Sequence, residues 1–461
     1  MHNMTLTTSE VAGLAGVHRD TLLRWLREKA IPEPSRDHRG WRVFNSTEAL
    51  AISRYAETGS WEQPISPNGP DHDIAKLHNI NWNFESAKTR YLTHGMHPYP
   101  AKFIPQIPNA LIQELSSVGE TVADIFCGSG TTLLEALQLK RNAIGIDANP
   151  LACLVSGAKT KALSDIELEE VGEHLELCKR LLSSLQADTG DMFFSGKIFQ
   201  SEGWRPDAKV TDFWFFSEVV EELAEILLQI RKIKSKNARN LCLSAFSAII
   251  VTVSKQDSDT RYVRREKQVS VGSTLSRYIS QLASAMGAVL ELGDLIEDRF
   301  NCEIIHSNIL EAPKTGEFDL VVSSPPYPNA YSYHLYHRLR LLWLGFDDQV
   351  FKKAEIGSHR KYSSKGKNKA TSETFANEFS RILMWLKPKL AQGRYACLVV
   401  GDSTLDGNKV DNAQLISEVA KPLGFVDVDR IERQIAPTRK AFNPKIGKIK
   451  SEKILILRNG G

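Results

Sequence analysis

Asp124-Ile125-Phe126-Cys127-Gly128-Ser129-Gly130-Thr131-Thr132 follows the apolar pair Val122-Ala123 and runs into Leu133-Leu134. An apolar strand that stops at a Gly-Ser-Gly corner and turns straight into a helix lets the backbone pass close beneath a ligand. The next apolar run, Ala143 to Ile146, ends in Asp147, 19 residues after Gly128. A carboxylate at that position accepts hydrogen bonds from both hydroxyls of a ribose. Leu133 stands where the dinucleotide fingerprint has its third glycine, and a ligand without a pyrophosphate does not need that glycine.

A second strand with a special ending lies far downstream. Phe318 to Tyr327 reads FDLVVSSPPY, an apolar run that stops at Ser324-Pro325-Pro326-Tyr327. One proline suffices to end a strand, so two followed by an aromatic ring point to a stiff corner with a task. In an open α/β sheet, ligands sit beyond the carboxyl ends of the strands, so this corner and the glycine turn are expected to face one crevice. The Ser324 side chain and the Pro325 carbonyl offer acceptors to the two hydrogens of an exocyclic amino group. Such a nitrogen is a poor nucleophile while its lone pair is delocalised, and two acceptors draw it towards a tetrahedral geometry. Tyr327 can stack on a base turned out of a duplex.

The glycine turn with Asp147 resembles motifs I and II of S-adenosylmethionine-dependent methyltransferases. SPPY resembles motif IV of amino-methylating DNA methyltransferases, in which a leading serine leans towards cytosine N4 rather than adenine N6. Thr93 to Pro108, THGMHPYPAKFIPQIP, looks like the motif that covers the methionine end of the cofactor in that family. The resemblance implies an α/β, Rossmann-like, mostly parallel sheet with an antiparallel last strand, S-adenosyl-L-methionine as cofactor, and double-stranded DNA as partner. It also implies a cognate restriction nuclease or other defence component as a possible companion. By the same resemblance, Phe103, Asp124, Phe126, Gly128, Gly130, Thr131, Asp147 and Asn308 hold the cofactor, and Ser324, Pro325, Pro326 and Tyr327 carry the reaction. Asn308 closes a third apolar run, Cys302 to Leu310, where the family often has an acid. Three alternatives stay open: adenine N6, an RNA guanine-N2 enzyme, and a regulator with an inactive methyltransferase domain.

The chain has 461 residues, long enough for two domains. Residues 1–58 read as short helices with a wing. Thr7 and Glu10 have capping-box spacing, a helix from about Arg19 to Lys29 follows a break at Gly16-Val17, and Arg36 to Phe44 reads as a hairpin. Asn45 and Glu48 are expected to cap a third helix. LTTSEVAGLAGVHRDTLLRWLREKAIP and WRVF resemble the winged helix-turn-helix domain of the MerR and excisionase regulators, which implies DNA contact through Arg19, Arg24 and Arg42. Residues 59–75, rich in Pro, Gly, Ser and Asn, read as a linker, and residues 76–461 as the methyltransferase domain. A helical insert at about 161–300 carries the polar, basic loop Lys255 to Lys267, with Arg261, Tyr262, Arg264 and Arg265 as candidate DNA contacts. Tyr331, Tyr333, His334, Tyr336 and His337 begin a helix, several of their rings expected to line a base pocket and the others to pack, with Leu339, Leu342 and Trp343 as its core face. Arg433 to Lys450 is expected to join the last two strands as a basic loop, placing Arg439 and Lys440 near DNA.

Composition narrows the class. Hydrophobic residues make up 42% and charged residues 25%, values of a packed globular chain that exclude a disordered or fibrous protein. Net charge is only +3, but basic islands at Phe351 to Phe375, Arg261 to Lys267 and Arg433 to Lys450 can attract a polyanion locally. The six cysteines show neither zinc-site nor redox spacing, which points to a reduced cytoplasmic protein without structural metal. His94 and His97 lack a third ligand at useful spacing and read as loop packing or as a hydrogen bond to the cofactor. A cytosine-C5 enzyme needs a cysteine nucleophile, usually in a Pro-Cys pair, and the chain has no such dipeptide.

Overall fold

A computed structural model describes residues 6–36, 41–44, 46–58, 74–100, 102–189, 200–328, 332–363, 369–405, 407–435 and 451–460. The chain divides into two compact units, Met1–His72 and Asp73–Gly461.

In the first unit Thr7 caps the helix Thr8–Leu14, and Glu10 closes the capping box with a 2.7 Å bond from the Thr7 N–H. A tight turn leads into Arg19–Arg27, which buries Leu22 and Leu26. Strands Leu6–Thr7, Ser35–Arg36 and Arg42–Phe44 form a small antiparallel sheet with Arg42–Phe44 in the middle, and helix Ser46–Thr58 follows. Val11, Leu22, Leu26, Ile31, Phe44 and Ile52 make one small core. Asn45 lies outside the described residues.

The second unit starts earlier than the sequence reading has it. Ile74–Asn79 is a 3-10 helix whose Leu77 is wholly buried, and the Trp82 indole N–H donates to the Leu77 carbonyl at 2.9 Å. Leu77 and Trp82, with Ile74 and Ile80 packed beside them, dock the segment on the core.

Seven strands make the central sheet: β1 (Thr121–Asp124), β2 (Asn142–Asp147), β3 (Cys302–His306), β4 (Phe318–Ser323), β5 (Leu390–Gly401), β6 (Phe425–Gln434) and β7 (Ser451–Asn459), in the order β6-β7-β5-β4-β1-β2-β3. All neighbours are parallel except β7, antiparallel to both β5 and β6. This is the mostly parallel sheet with a reversed last strand that the resemblance implies. Alternating residues feed two faces. Ala123, Val321, Ala396 and Leu398 pack under helices Ser372–Leu386 and Asn412–Ala420, whereas Val122, Leu320, Cys397 and Val399 pack under Gln106–Leu115 and α1 (Thr131–Gln138). Burial on both faces gives the apolar runs of parallel strands.

The insert between β2 and β3 is helical as expected, and it has a large core of its own. Helices Asp165–Thr189, Ser217–Arg231, Lys236–Val253 and Ser273–Gly293 bury Leu223, Phe246, Tyr278 and Leu282, together with Leu339 and Trp343 from beyond β4. Leu341 is buried and Leu342 only half-buried. The expected loop from Lys255 to Lys267 is instead a hairpin, Gln256–Ser258 with Arg261–Arg264. Tyr262 turns inward onto Trp214, ring centres 4.7 Å apart, while Arg261, Val263 and Arg264 stay exposed. Among the described residues no helix is long and apolar enough to cross a membrane.

Candidate functional site

β1 and β4 lie side by side, Val122 beside Leu320 and Ala123 beside Val321, where the strand order reverses. The segments leaving their carboxyl ends therefore emerge together, and they frame a cleft that opens to solvent. Phe126, Gly128, Ser129 and Thr131 of the glycine turn, Asp147, Asn308, Ser324 and Pro326 line it, with Phe103 from the loop before β1.

The two glycines do different things. Gly128 has φ +49°, and a Cβ there would meet the Tyr99 ring at 3.6 Å on the cleft wall. Its N–H donates to Asp147 Oδ2 at 2.8 Å, and the Asn149 N–H donates to Oδ1 at 2.8 Å. Burial pushes the Asp147 carboxyl up to about 6, against the pull of these backbone donors. Gly130, at φ +75°, is not on the wall: a Cβ there would come within 2.8 Å of Ser156 Cβ on α2 (Pro150–Lys159). Its missing side chain is a packing requirement between helices, not a ligand contact.

Asp124 also departs from its expected place. It is buried beneath the cleft, where Oδ1 accepts from Ser323 Oγ at 2.6 Å and from the Phe126 N–H at 3.1 Å. It joins the root of the glycine turn to the root of the proline corner. Burial raises its pKa to about 6. The Ser129 hydroxyl on the cleft wall is buried without a hydrogen-bond partner, as expected at a wall that receives a polar ligand. Asn308 lines the cleft and caps a short 3-10 turn by accepting from the Leu310 N–H at 3.0 Å.

At the proline corner, Ser324 Oγ donates to the Val399 carbonyl of β5 at 3.1 Å. The hydroxyl hydrogen is thereby committed to the sheet, and the oxygen presents lone pairs only. Pro325 is buried and Pro326, half-buried, lines the cleft. Tyr327 does not line the cleft; it packs on the core under helix Ser372–Leu386. The stacking ring on the wall is Tyr333, at the start of α3 (Tyr333–Tyr336). Tyr333 stacks on Tyr99, centres 6.3 Å apart and planes 26° apart, and Tyr99 packs on His337 at 4.6 Å. Tyr331 lies outside the described residues.

Tyr333 is among the rings expected in the pocket, but several wall residues escaped the sequence reading: Tyr99, Lys102, Phe351, Glu355 and Ile356. Tyr99 and Lys102 sit inside the Thr93–Pro108 stretch already singled out. Glu355 and Ile356 carry no local signal. Lys102 Nζ donates to the His94 carbonyl at 2.7 Å, and burial pushes its pKa down to about 8. His94 meets buried Glu135 at 2.6 Å, which also binds Tyr91 and Asn109, and His97 meets Ser247 at 2.9 Å. Both histidines are loop packing, and among the described residues no group of three or more His, Cys, Asp or Glu is arranged to hold a metal.

The candidate DNA contacts fare unevenly. Arg261 and Arg265 flank Asp257 at 3.7 and 3.5 Å. Arg264 pairs with Glu266 at 2.8 Å and covers the Phe213 ring at 4.9 Å; all three keep exposed faces. Tyr262 points inward and its hydroxyl accepts from Arg338 at 3.3 Å, so it supports the hairpin rather than projecting from it. In the first unit Arg19 and Arg24 are exposed, whereas Arg42 is held on Glu33 at 2.8 Å. Arg439 and Lys440 lie outside the described residues.

Against known proteins, the chain matches a DNA methylase family, of the N6/N4 type, over residues 26–156. That span contains the glycine turn and Asp147 but not the proline corner. The chain is 28% identical over 286 residues to the Type II methyltransferase M.MvaI of Kocuria varians, covering 58% of this chain and 61% of that protein. It is 22% identical over 438 residues to the Type II methyltransferase M.MjaII of Methanocaldococcus jannaschii, covering 78% and 80%. The chain thus spans about three fifths of the length of the Kocuria relative. A putative DNA modification methylase from Thermus thermophilus, solved with S-adenosyl-L-methionine, aligns at 21% identity over 34% of this chain and 54% of its own, TM-score 0.22. The family and the two relatives support an amino-methylating DNA methyltransferase.

Proposed function

We propose that this chain transfers a methyl group from S-adenosylmethionine to an exocyclic amino group of a base in DNA, cytosine N4 before adenine N6. The observation that carries the reading is the shared cleft, in which Gly128 and Asp147 face Ser324 and Pro326.

The wall fits the methyl donor. Gly128 leaves room above its backbone, Asp147 offers carboxylate lone pairs to ribose hydroxyls, and Lys102 is a cation for the carboxylate of an amino acid. The Ser129 hydroxyl, buried on the wall without a partner, suits a polar group of that ligand. When bound, S-adenosylmethionine supplies a sulfonium methyl. The chain's own residues then work by orientation, which can lower a barrier by roughly 7–11 kcal/mol. Ser324 accepts one amino hydrogen, the Pro325 carbonyl accepts the other, and Tyr333 with Tyr99 offers a stacking face to a base rotated out of the duplex.

DNA reaches the cleft through two further surfaces in this reading: the exposed arginines of the hairpin, and Arg19 and Arg24 of the first unit acting as a winged helix-turn-helix domain. A duplex-reading first unit favours DNA over RNA as substrate. The intact glycine turn, Asp147 and SPPY argue for an active enzyme rather than a regulator. A cognate nuclease as companion follows from the type of relatives found.

The test is direct. The protein is incubated with methyl-labelled S-adenosylmethionine and duplex DNA, the product is digested to nucleosides, and the labelled nucleoside is identified. N4-methylcytosine is expected. N6-methyladenine would reassign the base, and label in RNA alone would overturn the reading.

A further inference from the structure

The four residues Glu355-Ile356-Gly357-Ser358 touch both ends of the segment that runs from the proline corner to the stacking ring. They follow helix α4 (Asp348–Ala354), some thirty residues beyond Ser324, and nothing in their sequence marks them. Glu355 is buried and reaches back to the start of α3. Its Oε1 accepts from the Tyr333 N–H at 2.5 Å and the His334 N–H at 3.3 Å, and its Oε2 lies 2.5 Å from His334 Nδ1. A carboxylate on the free N–H groups of a helix start fixes where that helix begins, and here it fixes Tyr333. Ser358 Oγ meets Ser332 Oγ at 3.1 Å, one residue before that ring.

Gly357 holds the other end. It has φ +72°, and a Cβ there would lie 2.8 Å from the Tyr327 carbonyl oxygen and 3.2 Å from the Pro326 carbonyl carbon. The backbone of the proline corner rests directly on this glycine. Ile356, between the two anchors, lines the cleft itself.

We infer that Glu355–Ser358 is a positioning strap, which sets the spacing between the acceptors at Ser324-Pro325 and the stacking face of Tyr333 and so the pose of the target base. The inference rests on the methyl-transfer reading above. It asks no chemistry of the strap. Glu355 and Gly357 act through the corner and the ring, and because reacting atoms must meet within a narrow geometry, a displacement of about 1 Å costs on the order of 100-fold in rate.

The experiment compares wild type with Glu355→Gln, Glu355→Ala and Gly357→Ala on duplex DNA carrying the methylated site found above. It measures kcat, the S-adenosylmethionine affinity by calorimetry, and the fluorescence of 2-aminopurine at the target position. Expected are a kcat lowered about 10- to 100-fold in Glu355→Ala and Gly357→Ala, cofactor affinity within about twofold, and altered 2-aminopurine emission in the complex. Glu355→Gln, whose amide oxygen still accepts the Tyr333 N–H, should recover much of the rate. Unchanged kcat in both alanine variants overturns the strap, as does a loss of rate matched by an equal loss of cofactor binding. If Gly357→Ala does not fold, the Glu355 pair decides alone. A wild-type protein without methylation refutes the underlying function instead, and the two failures are thus distinct.

Discussion

Asp124 is buried beneath the cleft and Asp147 half-buried on its wall, and desolvation pushes both carboxyls up to about 6. Two opposite pH trends follow. For stability, a carboxyl raised from 3.8 favours the folded state fully below 3.8, and that contribution is lost as pH rises through about 6. Asp124→Asn should therefore flatten the dependence of urea stability on pH across that window, and an unchanged slope would show that Asp124 does not set it. For ligand binding the sign reverses, because only the ionised Asp147 is a full acceptor. Cofactor affinity should fall as pH drops through about 6, and Asp147→Ala should weaken it about 10- to 100-fold at neutral pH by calorimetry, the range of hydrogen bonds to a charged group.

Among the elements, the glycine turn and the hairpin make separable predictions. Gly130→Ala combines a left-handed backbone, about 1–2 kcal/mol for a residue with a side chain, with a collision against Ser156 Cβ. It should lower thermal stability by several degrees. Gly128→Ala carries a similar backbone cost without a collision, so its larger effect should appear in cofactor affinity. The reverse pattern would mean that the two glycines have been assigned the wrong tasks. On the hairpin, Arg265→Glu should weaken DNA binding and flatten its salt dependence, measured by gel shift across a salt series, while leaving cofactor affinity intact. How far the sequence could be read follows from these same elements. Strand-turn-helix at Asp124–Thr132 and the apolar run ending in SPPY are local patterns, and their meeting follows from where ligands bind in such sheets. Tyr262 turned inward because Trp214 gave it a partner, a contact between positions 48 apart that spacing does not reveal. Glu355 and Gly357 were invisible for the same reason: their role depends on what the chain brings beneath Tyr327 and Tyr333.

On the scale of the whole molecule, each unit has its own apolar core, so each is expected to fold without the other. Deleting residues 1–58 should leave cofactor affinity unchanged while lowering DNA affinity in gel shifts; unaltered gel shifts would give the first unit another purpose. In the proposed reaction, base selection also depends on one small commitment. Since the hydroxyl hydrogen of Ser324 is held by Val399, the corner would greet an incoming base with electron pairs alone. Cytosine and adenine would bring hydrogens to meet them, whereas the ring carbonyls of thymine would be repelled, so a preference for amino over keto bases would be set by the sheet before any sequence is read.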